Sequence, residues 1–362
     1  MFNPLARPLG CEVIPFSVAI QLFDPQVASP VEIDQYLKFT GLRNQEYWPG
    51  ELQLSDAELL QHMLRVFPLT RVIRFVAVVG HQIVGHLMMD VRREGSEDYE
   101  LRAPFVVVGA FVLKGFQGRG VAKALARTCL AYMDQHSKNM ATIATSFAEG
   151  IDFLERLGAR QTQEAVENRA PITGLNWAEL HTWLNDPPLE SLGLRWEIHL
   201  DRVPLDRLET LMDPFTVLLN ESPMGTTEQP PIRFEYQAHL SWYQELDRRG
   251  GEHLVILPRD GDNIAAVSSG EWDPRFPLRF DQYLTGVNKP WRGQDLGKCV
   301  KAKLLFLLRA RHPDIEYVRT FNANANAPML SINKRLGFTV HRQTYTFQID
   351  RETLRTGLAC VR

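Results

Sequence analysis

The chain has 362 residues, enough for about two domains at roughly 150 residues each, with 44% hydrophobic and 23% charged residues as in ordinary globular proteins. A formal net charge of -3 without long single-sign runs gives no basic footprint for nucleic acid, and no apolar run reaches the ~18 residues of a membrane span. The cysteines Cys11, Cys129, Cys299 and Cys360 are far apart and lack zinc spacing, so a reduced, cytoplasmic chain with no metal is expected.

In chain order, RVIRFVAVVG (71–80) and HQIVGHLMMDV (81–91) read as adjacent strands broken at Gly80. The acidic stretch EGSEDYE (94–100) reads as a solvated loop. APFVVVGAFVL (103–113) is a β-branched run, read as a buried strand. It leads into FQGRGVAKALA (116–126), a glycine-rich loop opening a helix with Val121, Leu125, Cys129 and Tyr132 at helical spacing. MATIATSF (140–147) follows as a strand, and EGIDFLERLG (149–158) as a short helix closed by Gly158. Asn176 and Glu179 then open a further helix, which Pro187-Pro188 stops.

The second half repeats this series. WRGQDLGKCVKAK (291–303) echoes the glycine-rich loop, and INKRLGF (332–338) echoes FLERLGA (153–159). Two matches in the same order indicate two copies of one domain, 1–186 and 194–362, joined by a linker at 187–193. Strands are expected in HLVILP (253–258), NIAAVSSGEW (263–272), LRFDQYLTGV (278–287) and IEYVRTF (315–321). A helix carrying Val300, Leu304, Leu307 and Leu308 on one face follows the second loop.

A strand, a glycine-rich loop and a helix N-terminus together suit a phosphate ligand. A nucleotide P-loop is excluded because Val121 stands where its lysine belongs, and Lys123 occupies the third glycine of a dinucleotide fingerprint. Gln117-Gly118-Arg119-Gly120-Val121-Ala122 resembles the Q/R-x-x-G-x-G/A signature of the GCN5-related N-acetyltransferases (GNATs), and the doubled arrangement is similar to mycothiol-synthase-like tandem members. The resemblance implies an α/β (α+β) fold: two GNAT domains, each a mixed, mostly antiparallel sheet flanked by helices, with a splayed central strand. It also implies acetyl-CoA as cofactor. Its pantetheine arm would lie on Ala110, Phe111 and Val112 in one copy and on Thr285, Gly286 and Val287 in the other. Its pyrophosphate would lie on residues Gln117 to Lys123 (Lys123 included) and on Arg292, Gly293, Gln294, Asp295, Leu296, Gly297 and Lys298. Asn326, eleven residues before Gly337, matches the family's pantetheine-contacting asparagine, a place held by Phe147 in the first copy.

Acetyl transfer to an amine needs a proton acceptor and often a donor for the departing thiolate. The family's donor tyrosine, four residues before the LG glycine, is replaced here by Leu154 and Asn333. Asp281, Tyr283, Thr285 and Val287 alternate onto one face of their strand. By resemblance Asp281 takes the place of the glutamate base, with Tyr283 as relay or donor and Glu271 as a reserve; a salt-bridged edge residue is the alternative for Asp281. The expected activity is acetyl-CoA-dependent N-acetylation of a small-molecule amine by direct attack, in a monomer or homodimer. The alternatives are a non-catalytic CoA-binding sensor or scaffold, and acetylation of a protein amine.

Overall fold

The computed structural model describes residues 17–185, 189–222 and 225–361; Cys11, Pro187 and Pro188 lie outside them. The first half contributes β1 (Ala19–Leu22), α1 (Pro30–Tyr47), α2 (Asp56–Leu64), β2 (Thr70–Val79), β3 (Gln82–Arg92), α3 (Tyr99–Arg102), β4 (Phe105–Val112), α4 (Val121–Gln135), β5 (Met140–Thr145), α5 (Ala148–Arg156), β6 (Arg160–Pro171) and α6 (Trp177–Asn185). The second contributes β7 (Arg195–His199), α7 (Leu205–Asn220), α8 (Tyr236–Arg249), β8 (Glu252–Asp260), β9 (Asn263–Ile264), β10 (Ala266–Trp272), β11 (Arg279–Val287), α9 (Leu296–Arg311), β12 (Tyr317–Ala323), α10 (Ala327–Leu336), β13 (Thr339–Asp350) and α11 (Arg351–Cys360).

These elements gather into two compact units. One holds the residues up to Leu64 with Ile73–Met88 and Ala110–Ala131; the other holds Arg65–Val72, Met89–Gly109 and everything from Tyr132 onward. In the smaller unit α1 begins with a capping box, in which the Glu32 carboxylate accepts from the Ser29 N–H at 2.7 Å and Ser29 Oγ accepts from the Glu32 N–H at 3.3 Å. Pro30 at its first position costs no hydrogen bond there. Phe23, Tyr36, Phe39, Met63, Val76, Ile83 and Leu113 form this unit's core.

The larger unit contains a mixed, mostly antiparallel sheet in the order β4-β5-β13-β6-β12-β11-β10-β8-β7. β13 pairs with β5 on one side and β6 on the other, and β6 pairs with β12. Strands of the two sequence halves therefore alternate in one sheet. The exceptions to antiparallel pairing are β4 on β5 and β11 on β12, and they occupy equivalent places in the repeat. Their registers run from Phe105↔Met140 to Val108↔Ile143 and from Arg279↔Tyr317 to Gln282↔Thr320.

β8 explains its own composition. Leu254, Val255, Ile256 and Leu257 are all fully buried. Because side chains alternate along a strand, Leu254 and Ile256 enter a core shared with α6, α9 and α10, whereas Val255 and Leu257 enter one shared with α7 and α8. Helices thus cover both faces, which is why the strand reads as a continuous apolar run. Gly158 (φ +86°) and Gly337 (φ +92°), the equivalent glycines after α5 and α10, both adopt the left-handed conformation that closes helices.

The acidic stretch 94–100 exposes Glu94, Glu97 and Glu100, as expected of a solvated loop, while Asp98 pairs with Arg92 and Arg102 and Glu97 with Arg233 at 2.6 Å. Cys129 and Cys299 are buried free thiols, and burial pushes them up to about 12 and about 11 respectively. Among the described residues, no helix is long and apolar enough to cross a membrane, and no group of His, Cys, Asp and Glu could hold a metal ion.

Candidate active site

In the larger unit, β11 and β12 pair only as far as Gln282↔Thr320. A cavity of about 450 Å³ lies where the strands continue, lined by Gln282, Tyr283, Leu284 and Thr285 on β11 and by Thr320, Phe321, Asn322 and Ala323 on β12. Four consecutive residues of a regular strand cannot all face one space. A bulge resolves this: between Ser268↔Thr285 and Gly270↔Gln282, both Tyr283 and Leu284 stand opposite Ser269. Gly270, at the end of the bulge, has no room for a side chain, since a Cβ there would lie 2.4 Å from the Phe280 ring. Phe215, Phe234 and Trp242 supply apolar wall, and Gln163 enters from β6 of the first sequence half.

The Tyr283 hydroxyl donates to Glu271 Oε2 at 2.8 Å. Glu271 is 7% exposed and also pairs with Arg249, which reaches Asp273 at 3.1 Å. Burial holds the Glu271 carboxyl above its ordinary value despite Arg249 and the Tyr283 hydrogen bond. Burial first, and the Glu271 charge second, push the Tyr283 phenol up, so it stays protonated. Asp281 is held differently. Arg319 grips both its oxygens, at 2.7 and 2.9 Å, and Arg279 adds a contact at 3.1 Å. The structure joins Tyr283, at the cavity, to Glu271 and holds Asp281 in an arginine clamp.

Sequence reasoning missed several lining residues. His253 accepts or donates at Nδ1 with the Tyr243 hydroxyl (2.9 Å) and meets Trp242 edge-on at 4.7 Å. Burial lowers it to about 3, so it is neutral. His239, beside Phe234 and Trp242, is lowered by burial as well. Lys301, on α9, is 1% exposed and lines the cavity. Its Nζ donates to Asn333 Oδ1 at 2.5 Å, and Asn333 Nδ2 donates to Asn322 Oδ1 at 2.7 Å. Asn326 also lines the cavity, and its Oδ1 accepts from the Met329 N–H at 3.3 Å to cap α10.

The two loops share a backbone path and differ in charge. Gly118 and Gly120 have φ of +69° and +82°; Gly293 and Asp295 have +78° and +53°. Asp295 is thus a side-chain-bearing residue in the left-handed conformation that its counterpart leaves to glycine. At Gly118 and Gly120 an added Cβ would meet nothing within 4 Å, leaving open backbone of the kind a diphosphate can approach. In the second loop Asp295 pairs with Lys298 at 2.7 Å, while Glu221 pairs with Arg292 at 2.5 Å and Lys289 at 3.2 Å. Its cations are already neutralised. The carbonyls at the two strand ends are also engaged: Val112 O accepts from the Tyr47 hydroxyl at 2.7 Å, and Val287 O from Arg292 Nε at 3.1 Å. Gln117 Nε2 donates to the same Tyr47 oxygen at 2.7 Å, and Phe111 packs edge-on against Tyr47 and Trp48.

Residues 42–159 match the model of the acetyltransferase (GNAT) family. No curated protein matches the chain in sequence. Among solved structures, a tandem GNAT protein from the clavulanic acid biosynthesis pathway is similar over 92% of this chain and 99% of its own, at 18% identity and a TM-score of 0.69. A GCN5-related N-acetyltransferase from Sphaerobacter thermophilus is similar over 92% of this chain and 96% of its own, at 15% identity and a TM-score of 0.60. At these identities the structures share a fold. The family match falls in the first half, which keeps the loop glycines, and the cavity lies in the second; in both halves the parallel strand pair parts before the loop.

Proposed function

We propose that the chain, whose residues 42–159 match the acetyltransferase (GNAT) family model and whose fold is similar to that of a tandem GNAT protein, moves an acetyl group from acetyl-CoA to an amine of a small molecule, in the cavity between β11 and β12. The observation that carries this reading is that Tyr283, which lines a cavity where two parallel strands diverge, is hydrogen-bonded to the buried Glu271. The cofactor fits residues of the larger unit: the bulged β11 edge from Leu284 to Val287 and Asn326 would hold a pantetheine arm, and the loop that follows β11, from Arg292 to Lys298, would take its diphosphate. When bound, acetyl-CoA supplies an electrophilic thioester carbonyl.

This chain's own part is proton handling. An amine acceptor is an ammonium at neutral pH and must lose a proton before it attacks. The Tyr283 oxygen accepts that proton while its own passes to Glu271 Oε2, so the carboxylate ends protonated and the amine neutral. Burial makes Glu271 a stronger base than an exposed glutamate. Gln282, Trp242 and Phe234 orient the acceptor and exclude water.

The reading is tested by incubating the chain with acetyl-CoA and a panel of small amines, following free thiol and the acetylated product. Thiol release only with peptides would move the acceptor to a protein amine. Leu154 and Asn333, standing where the family's donor tyrosine would, favour a second reading, a module that holds CoA without reacting; cofactor binding with no thiol release from any amine would establish it.

A further inference from the structure

The charge of the cavity lining is one-sided. Its described residues include Lys301 but no arginine and no aspartate or glutamate. An ammonium has three donors; Lys301 spends one on Asn333 Oδ1, lies 4.7 Å from the Phe338 ring centroid, and has no carboxylate partner among the described residues. Buried ions are costly unless paired, and burial accordingly lowers Lys301 to about 7. The other titratable lining groups do not change charge near that pH, since burial keeps His239 and His253 neutral and Tyr283 protonated. A second group at the same wall lacks a partner. Gln282 is 2% exposed and its Nε2 donates to Ser268 Oγ at 3.1 Å, while its Oε1 accepts nothing. A buried cation without an anion and a buried acceptor without a donor describe the complement of a ligand that carries both.

We propose that the acceptor is an amine bearing a carboxylate, with Lys301 as the counter-ion of its acid group and Gln282 Oε1 accepting an N–H. This rests on the reading that the cavity receives the acceptor. Phe215, Trp242 and Met329 give its body an apolar surface, so amino acids with apolar side chains are the class that fits.

The test compares common apolar amino acids with the amines left by removing their carboxylates, phenylalanine with phenethylamine and leucine with isoamylamine. Binding to the full chain is followed by calorimetry at one pH below and one above the Lys301 pKa, beside thiol release in the presence of acetyl-CoA. At the lower pH the acids bind about tenfold more tightly than their amines, and the preference fades at the higher pH as Lys301 loses its proton. In Lys301→Met the ratio falls to about one; the pH series on the unaltered chain stands even if that variant fails to fold. Equal binding of acid and amine at the lower pH, acids that do not bind, or a preference that survives Lys301→Met overturns the proposal. A Lys301-dependent preference without thiol release retires acetyl transfer and keeps the anion site. Thiol release from plain amines without a preference does the reverse.

Discussion

The Tyr283 hydroxyl reaches Glu271 Oε2 at 2.8 Å across β11 and β10, although the strand register places Glu271 opposite Asp281. The Tyr283 side chain slants back along the sheet face to a carboxylate that burial has made more basic. Tyr283→Phe should therefore lower kcat by about a hundredfold, within the usual range for a general acid–base group, with a smaller change in KM. Glu271→Gln should act similarly, and the double variant should lose little more than the worse single one, as expected of groups working as a unit. The pH profile adds a direction: the relay needs ionised Glu271, so kcat should fall as pH drops through a value above the ordinary carboxylate range. Full activity in Tyr283→Phe would sink the relay.

Asp281 separates from that pair by the kind of damage its loss does. Asp281→Asn leaves Arg319 and Arg279 without their carboxylate, and unpaired partners of a largely buried charge pair cost about 1–3 kcal/mol. Thermal melting should show that loss, while the acid limb of the kcat profile moves only slightly to lower pH, since the Asp281 charge is the smallest of the influences that raise Glu271. A hundredfold rate loss at unchanged melting temperature would instead return Asp281 to the role of base.

What the sequence revealed was local. The loops, the LG glycines and the apolar strands are written in runs of about ten residues, where left-handed glycines and helical spacing leave a clear pattern. β6 and β13 were not identified: RQTQEAVENRAP is a polar run without alternation, and TVHRQTYTFQID alternates only in its second half, at Tyr345, Phe347 and Ile349, while strands on both sides hold each in place. Lys301 was hidden for the opposite reason. It sits beside Val300 and Leu304 in a helix that reads as core, and Asn333 and Phe338, which define its surroundings, come from farther along the chain. The alternatives for Asp281 could be weighed from sequence but not decided, since Arg319 meets it only through the β11–β12 register.

The loops should respond in opposite ways to exchange. Asp295→Gly frees Lys298 and places glycine where φ is +53°, so CoA should bind the second half a few-fold more tightly, in keeping with the modest worth of an exposed ion pair. Glu221→Gln, which releases Arg292 and Lys289, should act in the same direction. Gly120→Val puts a β-branched residue at φ +82° and should abolish binding by the first loop. Calorimetric stoichiometry and affinity for CoA measure all three. An unchanged isotherm for each variant would mean that neither loop holds the diphosphate.

Acid should unfold the chain through its buried histidines. His253 has a folded value of about 3 against 6.5 for the unconstrained side chain, lowered by burial. Above 6.5 neither state binds the proton and stability is unaffected. Below 6.5 the unfolded chain binds a proton that the folded chain refuses, so stability declines until the pH reaches the folded value. Well inside that window the loss approaches about 1.4 kcal/mol per pH unit for each such group. His86, fully buried beside Tyr36 with its Nε2 unpartnered, is lowered well below its usual value too, so both units carry the sensitivity. Thermal melts recorded at falling pH should show declining melting temperatures in the parent. His253→Gln should melt lower at neutral pH, because the Tyr243 contact is weakened, yet lose less on acidification. Parallel melting-temperature curves for parent and variant would show that His253 takes up its proton in the folded state as readily as in the unfolded one.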